Sequence, residues 1–205
     1  MKNKIERTLF WFKVDEGELL HLNEKYFAIA TLLNRLLNDR YRSDPIKFIN
    51  IYFANNKYYE KYPAIPSDYV HYFKKNGGTL AYYGLFDLTK FNSLSVQRQN
   101  DYIWEKACRY LEYAAISIKN NDLIDAVRHA FQGGKEIHLN PDYRLVESEV
   151  IIYGQLLKAA IWVNFKADGM YSKMTLEKGD QIIFEKSIDE TKMGLSFFFL
   201  KCIKV

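Results

Sequence analysis

The 205-residue chain is 48% hydrophobic and 26% charged, a composition that excludes long disordered stretches. A chain of this length buries roughly 70% of the surface that its unfolded form exposes, so it needs no disulfide or metal to fold. The formal net charge is only +4, and acidic and basic residues are interleaved. Because nucleic-acid-binding domains usually carry a clustered basic stripe, this pattern argues against one.

The cysteines and the N-terminus predict a protein of a reducing compartment. Cys108 and Cys202 lie far apart and belong to no Cys-x-x-Cys pair, so we expect both thiols to be unbonded and buried. The N-terminal residues lack the apolar core of a signal peptide. The longest strongly apolar run, residues 195–200, is too short to span a membrane. The expected location is therefore the cytoplasm.

The N-terminal quarter predicts a strand, a helix and a second strand. Residues 5–14 alternate in a strand-like pattern, and apolar spacing predicts a helix from about Asn23, its expected N-cap, to Tyr41. Residues 47–54 are rich in Ile, Phe and Tyr, which favours a strand. This order of elements favours two parallel strands joined by a right-handed crossover.

The middle of the chain predicts a hairpin of strands followed by a hairpin of helices. The expected bounds are 69–73 and 79–86 for the strands, and Ser93 or Ser95 to about 119 and 122–132 for the helices. Asn76-Gly77-Gly78 favours a tight turn between the strands. Gly133-Gly134 is predicted to end the second helix, because glycine commonly follows the last helical residue.

From Tyr143 onward the alternation predicts an antiparallel β-meander. Its expected turns lie at Tyr153-Gly154, at Asp168-Gly169 and at 178–180, and a last strand is expected at 195–205. The turns set the register, because a slip by one residue would mix the polar and apolar faces. The predicted cross-strand neighbours include Glu149 with Lys158, Tyr143 with Asn164, Leu145 with Trp162, Trp162 with Thr175, Lys173 with Glu185, and Leu176 with Ile182.

Together these elements predict an α+β fold. It has an N-terminal βαβ-like unit, a central helical hairpin and a C-terminal antiparallel β-meander packed on the helices. We expect one domain over residues 1–205, with a sub-division into 1–90 and 91–205 as the alternative.

One face of the meander mixes aromatic and charged side chains, and it is the predicted partner-binding surface. Aromatic anchors within a charged rim are typical of protein interfaces. The alternative is a solvated sheet face on which the rings only cover lysine side chains. The residues predicted to contact a partner are Trp162, Tyr171, Lys158, Asn164, Lys166, Lys173, Glu147 and Glu149.

The aromatic content of 16% has the same two interpretations, a well-filled core or a binding surface. Tyrosines in particular work at interfaces, because each ring ends in a polar hydroxyl. One cluster for which the sequence leaves both interpretations open consists of Tyr58, Tyr59, Tyr62, Tyr69 and Tyr72.

The sequence contains no phosphate-binding loop, nucleophile elbow or zinc-protease motif, and we predict no metal or cofactor site. The alternative is an enzyme whose site is assembled from distant residues. Glu147 and Glu149 would point the same way from one strand, roughly 7 Å apart, a separation that suits acid–base work. Lys158 opposite Glu149 favours an ordinary ion pair instead. The candidates for such a site are Glu147, Glu149, His129, His138 and Arg144.

The expected function is therefore that of a non-enzymatic, cytoplasmic protein-binding domain. In a bacterial source, its concrete form would be a toxin-neutralising immunity protein, which needs a rigid scaffold and a complementary surface. The mild positive charge argues against a basic nuclease toxin as the partner, because opposite charges speed encounter. A nucleic-acid-binding module is the least favoured alternative, since it requires a continuous basic groove.

Overall fold

A computed structural model describes residues 4–43, 46–74, 77–166 and 169–192. Contacts divide the chain into two compact units, Met1–Asn140 and Pro141–Val205. The predicted α+β class is confirmed, with a mixed sheet and helices in the first unit and an antiparallel sheet in the second. The contacts place residues 91–140 with the N-terminal unit. Folding as one domain stays a prediction, because a division by contacts does not say whether the units fold separately.

The first unit contains five strands and six helices in its described part. The strands are β1 (Arg7–Val14), β2 (Gly17–Glu18), β3 (Phe48–Ala54), β4 (Tyr69–Phe73) and β5 (Thr79–Leu85). The helices are α1 (Leu20–Lys25), α2 (Phe27–Arg40), α3 (Asn56–Lys61), α4 (Leu88–Asn92), α5 (Val96–Ser117) and α6 (Asn121–Glu136). Within the described ranges, no helix is long and apolar enough to cross a membrane.

The sheet of the first unit has the strand order β2-β1-β3-β5-β4. The three central strands are parallel, and the two edge strands run antiparallel to their neighbours. The predicted βαβ unit and the predicted β4–β5 hairpin are therefore confirmed. The turn residue Asn76 lies outside the described residues.

Helices α2, α5 and α6 cover one face of this sheet. Alternate residues of the central strands, such as Phe12, Phe53 and Tyr82, are buried in one core together with residues of α2, α5 and α6. Helices α5 and α6 pack against each other as predicted, and they also contact β5 and α2, respectively. Since each large apolar side chain contributes roughly 1.5–3 kcal/mol on burial, this core stabilises the first unit. In each central strand, the residues that alternate with the buried ones point to the opposite face of the sheet.

The predicted N-cap at Asn23 is wrong, because this residue lies inside α1 and a break at Tyr26 separates α1 from α2. The Asn23 side-chain oxygen accepts a hydrogen bond from the backbone N–H of Phe12 at 2.9 Å. Its amide nitrogen donates to Glu18. Asn23 therefore joins the helix to β1 instead of capping it.

The predicted helix end at Gly133-Gly134 is also wrong, because α6 continues to Glu136. A Cβ atom at Gly134 would lie 2.2 Å from a ring carbon of Trp104 on α5. The absence of a side chain at Gly134 therefore allows α5 and α6 to approach each other closely. The chain leaves the helix through His138 and Leu139, whose φ angles are 52° and 55°.

The second unit is the predicted antiparallel meander. Its strands β6 (Tyr143–Ile152), β7 (Gln155–Lys166), β8 (Gly169–Lys178) and β9 (Gln181–Lys192) are adjacent in chain order. The turn at Tyr153-Gly154 is confirmed, and both of its residues have positive φ, as a tight hairpin turn requires. Glu149 lies opposite Lys158 as predicted.

The predicted β6–β7 register is wrong at the end far from the turn, where the structure has a β-bulge. The pairing shifts by one residue between Arg144 and Val146, so Arg144 lies opposite Trp162 where Leu145 was predicted. Tyr143 accordingly lies opposite Val163, not the predicted Asn164. A bulge places two residues of one strand against one of the other and carries no clear sequence signal at this position.

The two later registers are displaced as well. Lys166 pairs with Gly169, so Trp162 lies opposite Lys173 where Thr175 was predicted. A displacement by two residues leaves each side chain on its face, and Trp162 and Tyr171 share one face as predicted. A register shift in β8–β9 places Phe184 opposite Leu176, and Ser187 opposite Lys173.

Some predictions concern residues that the structure does not describe. Asp168, Cys202 and the expected strand at 195–205 lie outside the described residues. Cys108 is buried and has a free thiol, as predicted.

Candidate partner-binding surfaces

The face of the first sheet that points away from α2, α5 and α6 carries one aromatic side chain from each of four adjacent strands. The backbone register sets Trp11 opposite Tyr52, Tyr52 opposite Tyr83, and Tyr83 opposite Tyr69. Directly opposite residues share a face and a height on the sheet. We call these four residues the aromatic row. It arises because three parallel strands each place an aromatic residue on the same level.

Neighbouring rings in the aromatic row face one another. The Tyr52 and Tyr83 rings are stacked, with centroids 4.3 Å apart and planes 3° from parallel. Trp11 stacks on Tyr52 with centroids 6.3 Å apart and planes 18° from parallel. The indole N–H of Trp11 donates a hydrogen bond to the Asn50 side-chain oxygen at 2.9 Å. Such contacts fix the rings, and aromatic pairs add about 0.5–1.5 kcal/mol each beyond their buried area.

The hydroxyl groups of Tyr52 and Tyr83 stay protonated at neutral pH. Burial raises the pKa of Tyr52, and a hydrogen bond with Tyr83 raises it further. Burial also raises the pKa of Tyr83. Tyr52 and Tyr83 therefore present neutral hydroxyls, which both donate and accept hydrogen bonds.

Charged and further aromatic side chains border the aromatic row. The Lys13 ammonium lies 5.7 Å from the Trp11 ring centre and pairs with Glu18 at 2.6 Å. On the edge strand β4, the ring of His71 lies 3.8 Å from that of Phe73, which is 54% exposed. An apolar centre with a polar border is the usual composition of a protein interface.

The structure brings the sequence-predicted surface together on one face of the second sheet. Alternate residues of β6, β7 and β8 share this face, which we call the mixed face. The residues that the register places there are Trp162, Tyr171, Lys158, Asn164, Lys166, Lys173, Glu147 and Glu149. The eight predicted residues therefore do share one face, although two of the predicted registers were displaced.

A network of polar contacts fills the centre of the mixed face. The Arg144 guanidinium lies 4.6 Å from the Trp162 ring centre and pairs with Glu147 at 2.8 Å and with Glu177 at 2.9 Å. The Trp162 indole N–H donates to the Thr175 hydroxyl at 3.1 Å, and that hydroxyl donates to Glu177 at 2.9 Å. Thr175 and Glu177 are buried. Trp162 is therefore held between a cation above it and a hydroxyl beside it.

The sequence placed Thr175 opposite Trp162 on this face, but it named neither Thr175 nor Glu177 as a site residue. It also named Arg144 only as a candidate for an enzyme site. The bulge beside Leu145 is what brings Arg144 opposite Trp162, and no sequence pattern predicts it. The alternation of β8 does place Thr175 and Glu177 on the mixed face, so that signal was available.

The outer part of the mixed face has the features of the solvated alternative. The Lys166 ammonium lies 4.5 Å from the Tyr171 ring centre. Lys173 pairs with Glu185 at 2.7 Å, and Asn164 donates to Asp142 at 2.9 Å. These groups are paired within the sheet, so a partner would have to replace existing contacts.

The candidates for an enzyme site are divided between the two units, with Glu147, Glu149 and Arg144 in the second and His129 and His138 in the first. Hydrogen bonding to Arg144 lowers the pKa of Glu147, whereas a general acid at neutral pH needs a raised pKa. His129 lies 3.9 Å from Asp39 of α2. His138 follows α6 and lines a different cavity, beside Trp104 of α5. Within the described part of the chain, no group of three or more His, Cys, Asp or Glu side chains is placed to hold a metal ion.

Comparison of the chain with protein-family models, with curated proteins and with solved structures gives no match. The geometry of the surfaces is therefore the basis for a functional proposal. Sequence reasoning did not identify the aromatic row as a surface. The sequence does place an aromatic residue in each of β1, β3 and β5. These residues can be assigned to the same level of the sheet only if the parallel register of the strands is known.

Proposed function

We propose that the protein is a non-enzymatic, protein-binding domain whose main contact surface is the aromatic row. The observation that carries this proposal is that Trp11, Tyr52, Tyr83 and Tyr69 lie side by side on four strands, opposite the helical layer. Tryptophan and tyrosine carry much of the energy in protein interfaces. Rings already fixed by stacking lose little conformational entropy on binding, which favours affinity.

Ring orientation favours a protein partner over single-stranded nucleic acid. Bases bind aromatic platforms by stacking on an open ring face. The parallel rings of Tyr52 and Tyr83, 4.3 Å apart, occupy each other's inner faces. Ring edges and hydroxyl groups are what such an arrangement offers to a partner. These groups suit the backbone and side chains of a protein.

The mixed face of the second sheet is the alternative surface for the same function. Its support is the stack of Arg144 on Trp162, since arginine and tryptophan are both enriched among interface anchors. Against it stands the pairing of its polar groups within the sheet. The polar groups of the aromatic row form hydrogen bonds within the sheet but no ion pair that a partner would have to replace, and we therefore rank it first.

For a bacterial source, we propose a toxin-neutralising immunity protein of the cytoplasm as the specific form of this function. Support for the compartment comes from Cys108, a buried free thiol whose pKa is raised by burial, as is usual for inert cysteines of reducing compartments. A gene for a secreted toxin beside the gene for this protein would support the proposal. A genome that encodes no such toxin would contradict it.

The proposal predicts that Tyr69→Ala weakens partner binding by about thirtyfold, the loss expected for one interface anchor. Tyr69 lies on the edge strand and is 39% exposed, so its removal should leave the fold intact. The measurement begins with cross-linking of the tagged protein in its own cells. The partner protein captured in this way is then purified, and its affinity for wild type and for each variant is measured by calorimetry.

Trp162→Ala is the matched control, because it removes one aromatic anchor from the mixed face. It should change the affinity by less than about threefold if the partner binds the aromatic row. A loss of affinity in Trp162→Ala alone would move the interface to the second sheet and contradict our ranking. Affinity unchanged in both variants would refute both surfaces. Saturable binding of oligodeoxythymidine that Tyr69→Ala abolishes would refute the choice of a protein partner.

A further inference from the structure

A groove between helices is lined by three cationic side chains that form no ion pair with a described carboxylate. The groove lies in the first unit, has a volume of about 810 Å³ and is formed by α4, α5 and α6. This volume is in the range of small-molecule sites, roughly 300–1,000 Å³. The cations are Lys90, Lys106 and Arg109. We propose that they bind the phosphate group of a small phosphorylated molecule, a function beyond partner binding through the aromatic row.

The acidic residues of the groove have other partners. Glu112 pairs with Arg128 at 2.8 Å, and Glu105 pairs with Lys135 at 3.2 Å. Asp87 caps α4, where its carboxylate accepts the Lys90 backbone N–H. Among the described residues, no carboxylate lies within 4.0 Å of a side-chain nitrogen of the three cations.

The three cations are close enough to repel one another. The ammonium groups of Lys90 and Lys106 each lie 5.8 Å from the centre of the Tyr102 ring. Burial lowers the pKa of Lys106, and the charges of Arg109 and Lys90 lower it further. Asp68 and Asp87 act in the opposite direction. A bound anion would relieve this repulsion.

A phosphate monoester fits this arrangement better than a single carboxylate. It carries close to two negative charges at neutral pH and three acceptor oxygens, which matches three cationic donors. The planar guanidinium of Arg109 suits two parallel hydrogen bonds to phosphate oxygens. Tyr102, Tyr113 and Phe131 also line the groove and offer contacts to the organic part of the ligand.

Phenyl phosphate is a suitable probe, because it joins the phosphate to a small apolar ring. We expect saturable millimolar binding by calorimetry, with amide chemical-shift changes confined to α4, α5 and α6. Inorganic phosphate should bind more weakly, and phenol should show no saturable binding. Arg109→Gln should weaken phenyl phosphate binding roughly tenfold or more.

Lys186→Gln is the matched control, since it removes one positive charge from an exposed position of the second unit and should leave the affinity unchanged. If both variants weakened phenyl phosphate binding equally, net charge alone would explain the effect, and the proposal would be wrong. Affinity unchanged in Arg109→Gln would also overturn it. Lys106→Gln provides a second test, but Lys106 also donates to the Leu85 carbonyl at 3.3 Å. Arg109→Gln, which breaks no such described bond, is therefore the decisive variant.

Discussion

Gly134→Ala is expected to destabilise the protein by about 2–3 kcal/mol, as overpacking of a filled core does. The new methyl carbon would lie 2.2 Å from Cζ2 of Trp104, far inside van der Waals contact. Trp104 cannot move away easily, because it is fully buried and its indole N–H donates to the Phe131 carbonyl at 3.3 Å. Helices α5 and α6 would therefore have to separate.

Gly133→Ala, one residue earlier in α6, is the matched control with the opposite sign. A Cβ atom there would lie 3.5 Å from the nearest Leu36 methyl carbon, which is ordinary contact. Alanine favours a helix interior over glycine by about 1 kcal/mol, so this variant should be as stable as wild type or more stable. Urea denaturation followed by circular dichroism measures both free energies of unfolding.

The same pair of variants separates the two structural roles of glycine. If α6 ended at Gly133-Gly134 in a left-handed conformation, as the sequence pattern predicts, alanine would strain the backbone at that end. Similar destabilisation by both substitutions would support a helix end there and contradict the continuous helix. A neutral Gly134→Ala would show that Trp104 does not pack against this position.

The sequence predicted the elements of this fold well, because hydrophobic periodicity is a local signal. It failed where a residue type serves two structures. Gly133-Gly134 reads as a helix end, yet Gly134 is required by a tryptophan on another helix. Asn23 reads as an N-cap, yet its side chain bonds to β1. In both cases a tertiary contact decided between two uses of the same residue.

The sequence predicted which side chains of a strand share a face, but not which side chains of neighbouring strands are in contact. Alternation alone assigned the mixed face, because a register displaced by two residues keeps every side chain on its face. The contact of Arg144 with Trp162 depends on a bulge and could not be derived. The aromatic row depends on the relative level of three parallel strands joined by long connections. Short-range sequence patterns do not show which residues of neighbouring parallel strands lie side by side.

Thr175→Val is expected to destabilise the second unit by about 2–4 kcal/mol, although valine keeps the branched shape of threonine and is similar in size. The Thr175 hydroxyl accepts from Trp162 and donates to Glu177, and both Thr175 and Glu177 are buried. Removing it leaves a half-buried indole N–H and a carboxylate oxygen each without this partner. A buried polar group that loses its partner costs about 1–3 kcal/mol. Valine is at least as favourable as threonine in a strand, so β-propensity cannot account for a loss.

Thr175→Ser tests whether the hydroxyl is responsible. Serine keeps both hydrogen bonds and removes one methyl group, so its cost should be nearer about 1 kcal/mol. The measurement is urea denaturation of both variants, monitored by circular dichroism. Equal destabilisation by valine and serine would mean that packing, not hydrogen bonding, holds Thr175.

The double variant Thr175→Val/Glu177→Leu, compared with both single variants, measures how strongly the hydroxyl interacts with Glu177, which also pairs with Arg144 at 2.9 Å. It removes the acceptor together with its donor, and replacing a buried polar pair by apolar groups is often neutral. Contacting residues are not additive in such a cycle, so the double variant should be more stable than the sum of the single effects predicts. A strictly additive result would show that the hydroxyl and Glu177 do not interact. Thr175 would then not link Trp162 to Glu177, and the network at the centre of the mixed face would be divided into two separate contacts.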